Sequence, residues 1–165
     1  MICDLQSVAV REAEGTVGET SVILGFAGLM PQVAAMATCV FDGTSDLAAM
    51  FAFGYGVLIL SFIGGIWWGF GMRLPTGDES CPRQGSVAAI AVVPSLAATA
   101  LVFLSVTHIL PMRWALVILG STIMTTLIVD RRFSACGMTP KGWMALRIPL
   151  AIGLGVATTA CGILA

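Results

Sequence analysis

Charged residues are scarce in this sequence. Only 8 of its 165 residues are Lys or Arg and 9 are Asp or Glu, whereas 58% are hydrophobic and the mean hydropathy is +0.97. Soluble domains carry charged side chains at about a quarter of their positions, so this composition excludes that class and predicts an integral membrane protein. With a net charge of -1 the chain also lacks the basic surface that binds nucleic-acid phosphates. We therefore expect no nucleic-acid partner.

The sequence is also poor in the residue combinations that perform catalysis or bind metals. It has one histidine, His108, and its five cysteines form no CxxC pattern and no Cys/His spacing suited to a metal. Haem ligation by His108 and Met112 is disfavoured, because Pro111 interrupts the helix between them and no second histidine is present. Paired carboxylates and a nucleophile beside a base are missing too. We expect no enzymatic activity, no metal and no cofactor.

Long charge-free runs, in contrast, occupy most of the chain. A bilayer core about 30 Å thick requires about 20 apolar residues in helical form, and lipid offers no hydrogen-bond partners to any other spanning backbone. We predict an all-α polytopic membrane helix bundle made of one transmembrane domain at 20–165, preceded by a short polar cytoplasmic arm at 1–19. Its five predicted spans lie at about 20–41, 47–72, 86–108, 112–129 and 147–164.

The positive charges lie mostly on one side of this predicted bundle. The arm, the second connection and the fourth connection carry seven of the eight Lys and Arg residues, and the opposite side carries only Arg113. Because cytoplasmic loops are enriched in Lys and Arg, we predict a cytoplasmic amino terminus and a carboxyl terminus on the opposite side of the membrane. No internal repeat is visible in the sequence, which disfavours an inverted-repeat transporter.

The second predicted span carries a stripe of small residues. Ser61, Gly65 and Gly69 are spaced four apart and so lie on one helix face, and Gly54 falls close to the same stripe. Small side chains in this arrangement allow another helix backbone to approach closely. We favour a helix-packing face here over the alternative, a site where a flat ligand contacts bare backbone.

Aromatic and charged residues gather at the predicted inner surface. Trp67 and Trp68 lie near the end of the second span, and we predict that they form an interfacial aromatic belt there. Asp130 is unusual because an acidic residue near a helix carboxyl end is unfavourable alone. It either pairs with Arg147, Arg131 or Arg73 or belongs to a solvated charge cluster. The predicted inner-face charge cluster comprises Arg73, Asp130, Arg131, Arg132 and Arg147.

Polar side chains and prolines occur near the middle of the predicted spans. Gln32 should find a partner, because an unpaired amide in hydrocarbon costs about a few kcal/mol, and Pro31 and Pro94 should kink their helices. These residues either line a polar pocket at mid-depth or hydrogen-bond between helices, and we favour the second interpretation. Ionisable residues are missing from the predicted span interiors, which disfavours an ion-coupled pump. The candidate pocket residues are Pro31, Gln32, Tyr55, Ser61, Pro94 and Ser95.

Two cysteines fall toward the outer ends of their predicted spans. Cys39 belongs to the first span and Cys161 to the fifth. An oxidising compartment on that side can join such a pair. The sequence does not give their separation, so their pairing stays open at this point.

Five stretches of the chain together resemble a known family. They read LGFAGLMP at 24–31, YGVLILSFIGGIWWG at 55–69, VVPSL at 92–96, and LIVDRRFSACGMTP followed by LRIPL within 127–150. In this order they resemble the transmembrane protein 69-like family, a bacterial and mitochondrial membrane family catalogued as a domain of unknown function. The resemblance implies a multi-pass inner-membrane protein and brings no reaction, substrate or cofactor. Where that family commonly has a histidine before the second tryptophan, this chain has Trp67.

Two functions of different classes fit these patterns. The first is a non-enzymatic accessory, assembly or scaffold subunit that packs against other membrane protein subunits or a second copy of itself within the lipid bilayer. The second is a binder or carrier of an apolar ligand such as a quinone, lipid or tetrapyrrole, held at the kinked centre around Gln32 and Tyr55. We favour the first, because the glycine face and the short connections suit a protein that works through helix contacts.

Overall fold

The described residues of the chain fold into helices. The computed structural model describes residues 17–41, 46–72 and 84–164, and within these ranges it contains no extended strand. The helices are α1 (Glu19–Ala27), α2 (Met30–Phe41), α3 (Asp46–Gly71), α4 (Gln84–Val106), α5 (Met112–Ala135) and α6 (Trp143–Leu164).

Five helical units in the described ranges are long and apolar enough to cross a membrane, with α1 and α2 together forming the first. They contain 22 to 26 residues, which at 1.5 Å per residue corresponds to about 33 to 39 Å and exceeds the hydrocarbon thickness. The predicted all-α architecture with five candidate spans is therefore confirmed. The sidedness of the termini stays a prediction. Helix α5 continues to Ala135, beyond the predicted span end at 129, and α6 begins at Trp143, before 147.

The first span is interrupted between α1 and α2. Pro31 has no backbone N–H, and its ring crowds the carbonyl four residues earlier, at Ala27, where α1 ends. The chain turns through Gly28 and Leu29 before α2 begins. The hydroxyl of Tyr55, on α3, donates a hydrogen bond to the Gly28 carbonyl oxygen. This contact supplies a partner for a backbone group in the interrupted stretch, as an apolar surrounding requires.

Two helix pairs approach closely at glycines. A Cβ atom added to Gly120 on α5 would lie 2.6 Å from the carbonyl oxygen of Gly155 on α6. A Cβ atom on Gly64 of α3 would lie 2.5 Å from the carbonyl oxygen of Ala91 on α4. Side chains larger than hydrogen do not fit at these two places without a shift, and this close backbone approach is typical of helix packing in membranes.

Candidate functional site

A buried ion pair joins α5 to α6. Arg147 donates from Nε to the Oδ2 oxygen of Asp130 across 2.7 Å, and the two residues are 6% and 0% exposed. The Nη2 group of Arg147 also donates to the hydroxyl of Thr126, across 3.2 Å. Thr126 lies one helical turn before Asp130 on the same face of α5, so the guanidinium contacts two side chains of one helix.

Helix α3 supplies a further hydrogen-bond donor to this carboxylate. The indole nitrogen of Trp67 donates to Oδ1 of Asp130 across 2.8 Å, and Trp67 is only 3% exposed. Phe133 meets the indole edge-on, with ring centroids 5.9 Å apart. Each carboxylate oxygen therefore accepts a hydrogen bond from a different helix, Oδ1 from α3 and Oδ2 from α6. We call Trp67, Thr126, Asp130, Phe133 and Arg147 the Asp130 cluster.

The Asp130 cluster corrects two sequence-based predictions. Trp67 does not belong to an interfacial belt, because it is buried as a donor to Asp130, whereas Trp68, which is 47% exposed, faces outward. The prediction that the span interiors lack ionisable residues is corrected as well, because the candidate spans Met112–Ala135 and Trp143–Leu164 contain Asp130 and Arg147. Both residues lie within helices and are buried. Their burial is tolerated because the two charges neutralise each other, and because the hydrogen bonds they make offset part of the free energy lost on leaving water.

The predicted inner-face charge cluster is thus divided. Among the described arginines considered as partners for Asp130, the structure places Arg147 against it. Arg131 and Arg132 are exposed. Arg73 lies outside the described residues. We call the end of the bundle that carries Arg131, Arg132 and Lys141 the arginine end.

A second polar contact joins α2 to α6. Gln32 is fully buried and donates from Nε2 to the hydroxyl oxygen of Thr158 across 2.8 Å. That hydroxyl in turn donates to the backbone carbonyl of Leu154. The amide oxygen of Gln32 is also buried, and no hydrogen-bond partner for it occurs among the described residues. Within the described part of the chain, the Gln32 side chain is therefore hydrogen-bonded through its donor while its acceptor is unused.

The candidate pocket residues divide between two seams of the bundle. Gln32 contacts α6, and Tyr55 closes the break beside Pro31. Ser95, in contrast, lies against Gly64 at the seam between α3 and α4, next to the buried Pro94. Ser61 is half-buried on α3. Hydrogen bonding between helices, the interpretation favoured from the sequence, describes Gln32 and Tyr55.

The glycines of α3 serve two different faces. Gly54, Gly65 and Gly69 are exposed, and a Cβ atom added to any of them would meet no heavy atom within 4 Å in the described part of the chain. The α3 glycines that pack against other helices of this chain are instead Gly56, Gly64 and Gly71. Within residues 17–41, 46–72 and 84–164, the predicted packing face therefore makes no close helix contact at these three glycines of the exposed set, Gly54, Gly65 and Gly69. As a face for another molecule it stays a prediction, and we call Gly54, Gly65 and Gly69 the outward glycine face.

The opposite end of the bundle brings two cysteines together. The Sγ atoms of Cys39 and Cys161 lie 3.1 Å apart, and both residues are buried thiols. His108, two residues after the end of α4, is exposed and has a positive φ of 57°. Over residues 17–41, 46–72 and 84–164, no group of three or more His, Cys, Asp or Glu side chains is placed to hold a metal ion.

The helices and the Asp130 cluster together define a multi-pass, all-helical protein of the membrane type. A family model described as "Protein of unknown function (DUF3429)" matches residues 17–163. The chain belongs to this family. No curated protein and no solved structure matches the chain. Family membership thus covers nearly all the described residues and brings no reaction or ligand with it.

Proposed function

We propose that this protein is a non-enzymatic accessory, assembly or scaffold subunit of a larger complex in the bacterial inner membrane. Its partner is a different membrane protein that contributes a transmembrane helix. The connections within the described ranges, at 107–111 and 136–142, are too short to fold as a domain outside the membrane. A surface that binds a partner should therefore lie on the sides of the helices.

The outward glycine face carries this proposal. Glycine inside a helix costs about 1 kcal/mol relative to alanine, and the three outward glycines do not offset this through contacts with the described part of their own chain. Ser61, Gly65 and Gly69 continue the small-xxx-small spacing that lets two transmembrane helices approach closely. The face also lies on α3, the longest helix described. A partner helix seated there gives these glycines a role.

Affinity isolation from native membranes tests the proposal. We expect a tagged chain extracted in mild detergent to co-migrate with another membrane protein, and the double variant Gly65→Ile and Gly69→Ile to lose at least about 90% of that partner, the loss that corresponds to about 1.4 kcal/mol. Ser121→Ile is the matched control, because Ser121 is an exposed small residue on α5. Both variants should retain wild-type thermal stability, since Gly65 and Gly69 face open space in the described part of the chain and the hydrogen bond from Ser121 to the Val117 carbonyl stays within α5.

Three outcomes contradict the proposed function. One is a lone species near 17.1 kDa plus its detergent, with no co-migrating protein. Another is co-migration only with a second copy of the chain, which replaces the proposed partner by self-association. The third is a partner whose recovery is the same for the double isoleucine variant and for Ser121→Ile.

The unused amide oxygen of Gln32 favours one alternative function, the binding of an apolar ligand. The Gln32 amide oxygen is a hydrogen-bond acceptor, so it binds only a ligand that has a donor group. Such donors are the hydroxyl of a hydroquinone or lipid and the pyrrole N–H of a tetrapyrrole. The oxidised quinone has acceptors alone and does not fit. Because the amide is fully buried beside the break between α1 and α2, ligand entry requires α2 to separate from α6.

Ligand binding is tested on lipid-stripped protein by tryptophan quenching with a soluble hydroquinone. We expect Gln32→Leu to abolish saturable quenching if this alternative holds. Gln84→Leu is the control, because Gln84 is an exposed amide at the start of α4. Equal quenching of wild-type and Gln32→Leu protein excludes the site.

The proposed location and orientation rest on sequence patterns. The resemblance to the transmembrane protein 69-like family supports the bacterial inner membrane, and the bias of positive residues supports a cytoplasmic arginine end. Alkaline phosphatase fused after the last residue should then be active, because it folds only outside the cytoplasm. A fluorescent protein at that position should be dark if it is exported unfolded. An inactive phosphatase fusion together with a bright fluorescent fusion would instead place the carboxyl terminus in the cytoplasm.

A further inference from the structure

Two buried thiols meet where the first and last spans end. Cys39 lies two residues before the end of α2, and Cys161 lies three residues before the end of α6. Their Sγ atoms are 3.1 Å apart, although 122 positions separate them in the chain. We propose that Cys39 and Cys161 form an interhelical disulfide in the mature protein. This inference concerns α2 and α6, so it is independent of the partner proposed for α3.

The two thiols are held in register by rigid helices. The hydrogen bond from Gln32 to Thr158 joins the same two helices about two turns earlier on α2. The cysteine contact lies closer to the carboxyl end than the Gln32–Thr158 contact on both helices. Helices α2 and α6 therefore run parallel and end on the same side of the bundle. A disulfide requires a sulfur separation of about 2.05 Å, so closing the bond takes an approach of about 1 Å.

Bond formation follows thiol–disulfide exchange with a protein thiol oxidase that carries a reactive disulfide. The first thiol loses its proton, and its sulfur attacks that disulfide to form a mixed disulfide. The second thiol then loses its proton, and its sulfur displaces the oxidase from the first. The cysteine pair gives up two electrons and two protons, and the oxidase leaves as a dithiol. Since the finished bundle buries both thiols, exchange must precede the final docking of α6.

The predicted topology places this reaction in a suitable compartment. Cys39 and Cys161 lie at the end of the bundle opposite Arg131 and Arg132, because α5 and α6 are antiparallel neighbours joined at the arginine end. If the arginine end is cytoplasmic, the thiols lie toward the side of the membrane on which such oxidases maintain disulfides. The bond would close a loop that contains most of the bundle, and longer loops give larger stabilisation in the chain-entropy description.

Thiol trapping tests the disulfide. Cells producing a variant with Cys3, Cys81 and Cys136 changed to serine are quenched in acid, and the denatured chain is alkylated with a maleimide that adds visible mass. We expect no addition before reduction and two additions after it. In a host that lacks its periplasmic thiol oxidase, two additions should appear without reduction. For the wild-type chain, a non-reducing digest should contain the Cys39 and Cys161 peptides linked, lighter than their sum by two hydrogens.

Reductant sensitivity provides a second measurement. Reduction should lower the apparent melting temperature of the wild-type protein, whereas Cys161→Ser should melt at the same temperature with and without reductant. Cys136→Ser is the control, because Cys136 lies at the arginine end, and it should keep the wild-type sensitivity. Two additions before reduction in a normal host overturn the proposal. So does a disulfide that joins two chains instead of one.

Discussion

The indole nitrogen of Trp67 lies 2.8 Å from a carboxylate oxygen of Asp130, although 63 positions separate the two residues. The same carboxylate accepts from Arg147, so one acidic side chain holds α3, α5 and α6 together. Loss of this side chain removes two interhelical contacts at once. The stability of the three-helix junction should therefore depend on Asp130 more than on any single apolar contact.

We expect Asp130→Leu to be strongly destabilising. The substitution leaves the Arg147 guanidinium buried without its counter-ion, and breaking a buried pair in this way costs about 3–5 kcal/mol. SDS-induced unfolding followed by circular dichroism measures the loss. Arg131→Leu is the control, because Arg131 is exposed on the same helix, and it should unfold like wild type. Equal midpoints for the two variants contradict a stabilising buried pair.

Removing both charges together should cost less than removing one. In the double variant Asp130→Leu and Arg147→Met no buried charge is left unpaired, and apolar replacements of buried pairs are often neutral. We expect its SDS midpoint to lie above those of both single variants. A double-mutant cycle quantifies the coupling. Additive losses would mean that the two side chains contribute independently, against the geometry.

The two adjacent tryptophans should respond differently to the same change. Trp67→Phe removes a hydrogen-bond donor from a buried carboxylate, which costs about 1–3 kcal/mol. Trp68→Phe changes an outward side chain and should leave the SDS midpoint within about 0.5 kcal/mol of wild type. A greater loss from Trp68→Phe would contradict the assignment of Trp67 to the core.

Close helix approach predicts a contrast between two glycines. Gly120→Ala should destabilise the protein by about 1–3 kcal/mol, because the new Cβ would lie 2.6 Å from the carbonyl oxygen of Gly155 and force α5 and α6 apart. Gly54→Ala should be neutral or slightly stabilising, since its Cβ enters open space and alanine favours the helix. Thermal survival in detergent, measured by size exclusion, compares them. Similar losses would contradict the distinction between the two faces.

The contact between Gln32 and Thr158 should be asymmetric under mutation. Thr158→Val removes the acceptor and leaves the buried amide of Gln32 without its partner, which costs about 1–3 kcal/mol. Gln32→Leu removes both the donor and the unused oxygen, so we expect it to be milder or even stabilising. The two SDS midpoints decide the order. A larger loss from Gln32→Leu would mean that its amide oxygen has a partner in the membrane.

Some parts of the Asp130 cluster leave a readable pattern in the sequence. Thr126, Asp130 and Phe133 are spaced four and three apart, so they share one face of α5, and Arg147 lies in the second turn of α6. Nothing in that spacing predicts that Trp67 reaches the same carboxylate from α3. The contact depends on how α3 packs against α5, which is a long-range property.

By itself the sequence determined the class of protein, its helical architecture and its number of candidate spans. These follow from the length of the apolar runs, because hydrocarbon allows no other spanning backbone for such runs. The tertiary structure alone decided which face of each helix is inside. Lipid is as apolar as the protein core, so hydrophobic periodicity cannot separate Gly64, which packs against α4, from Gly65, which faces outward. For the same reason, only the packed structure brings Trp67 to Asp130 and Cys39 to Cys161.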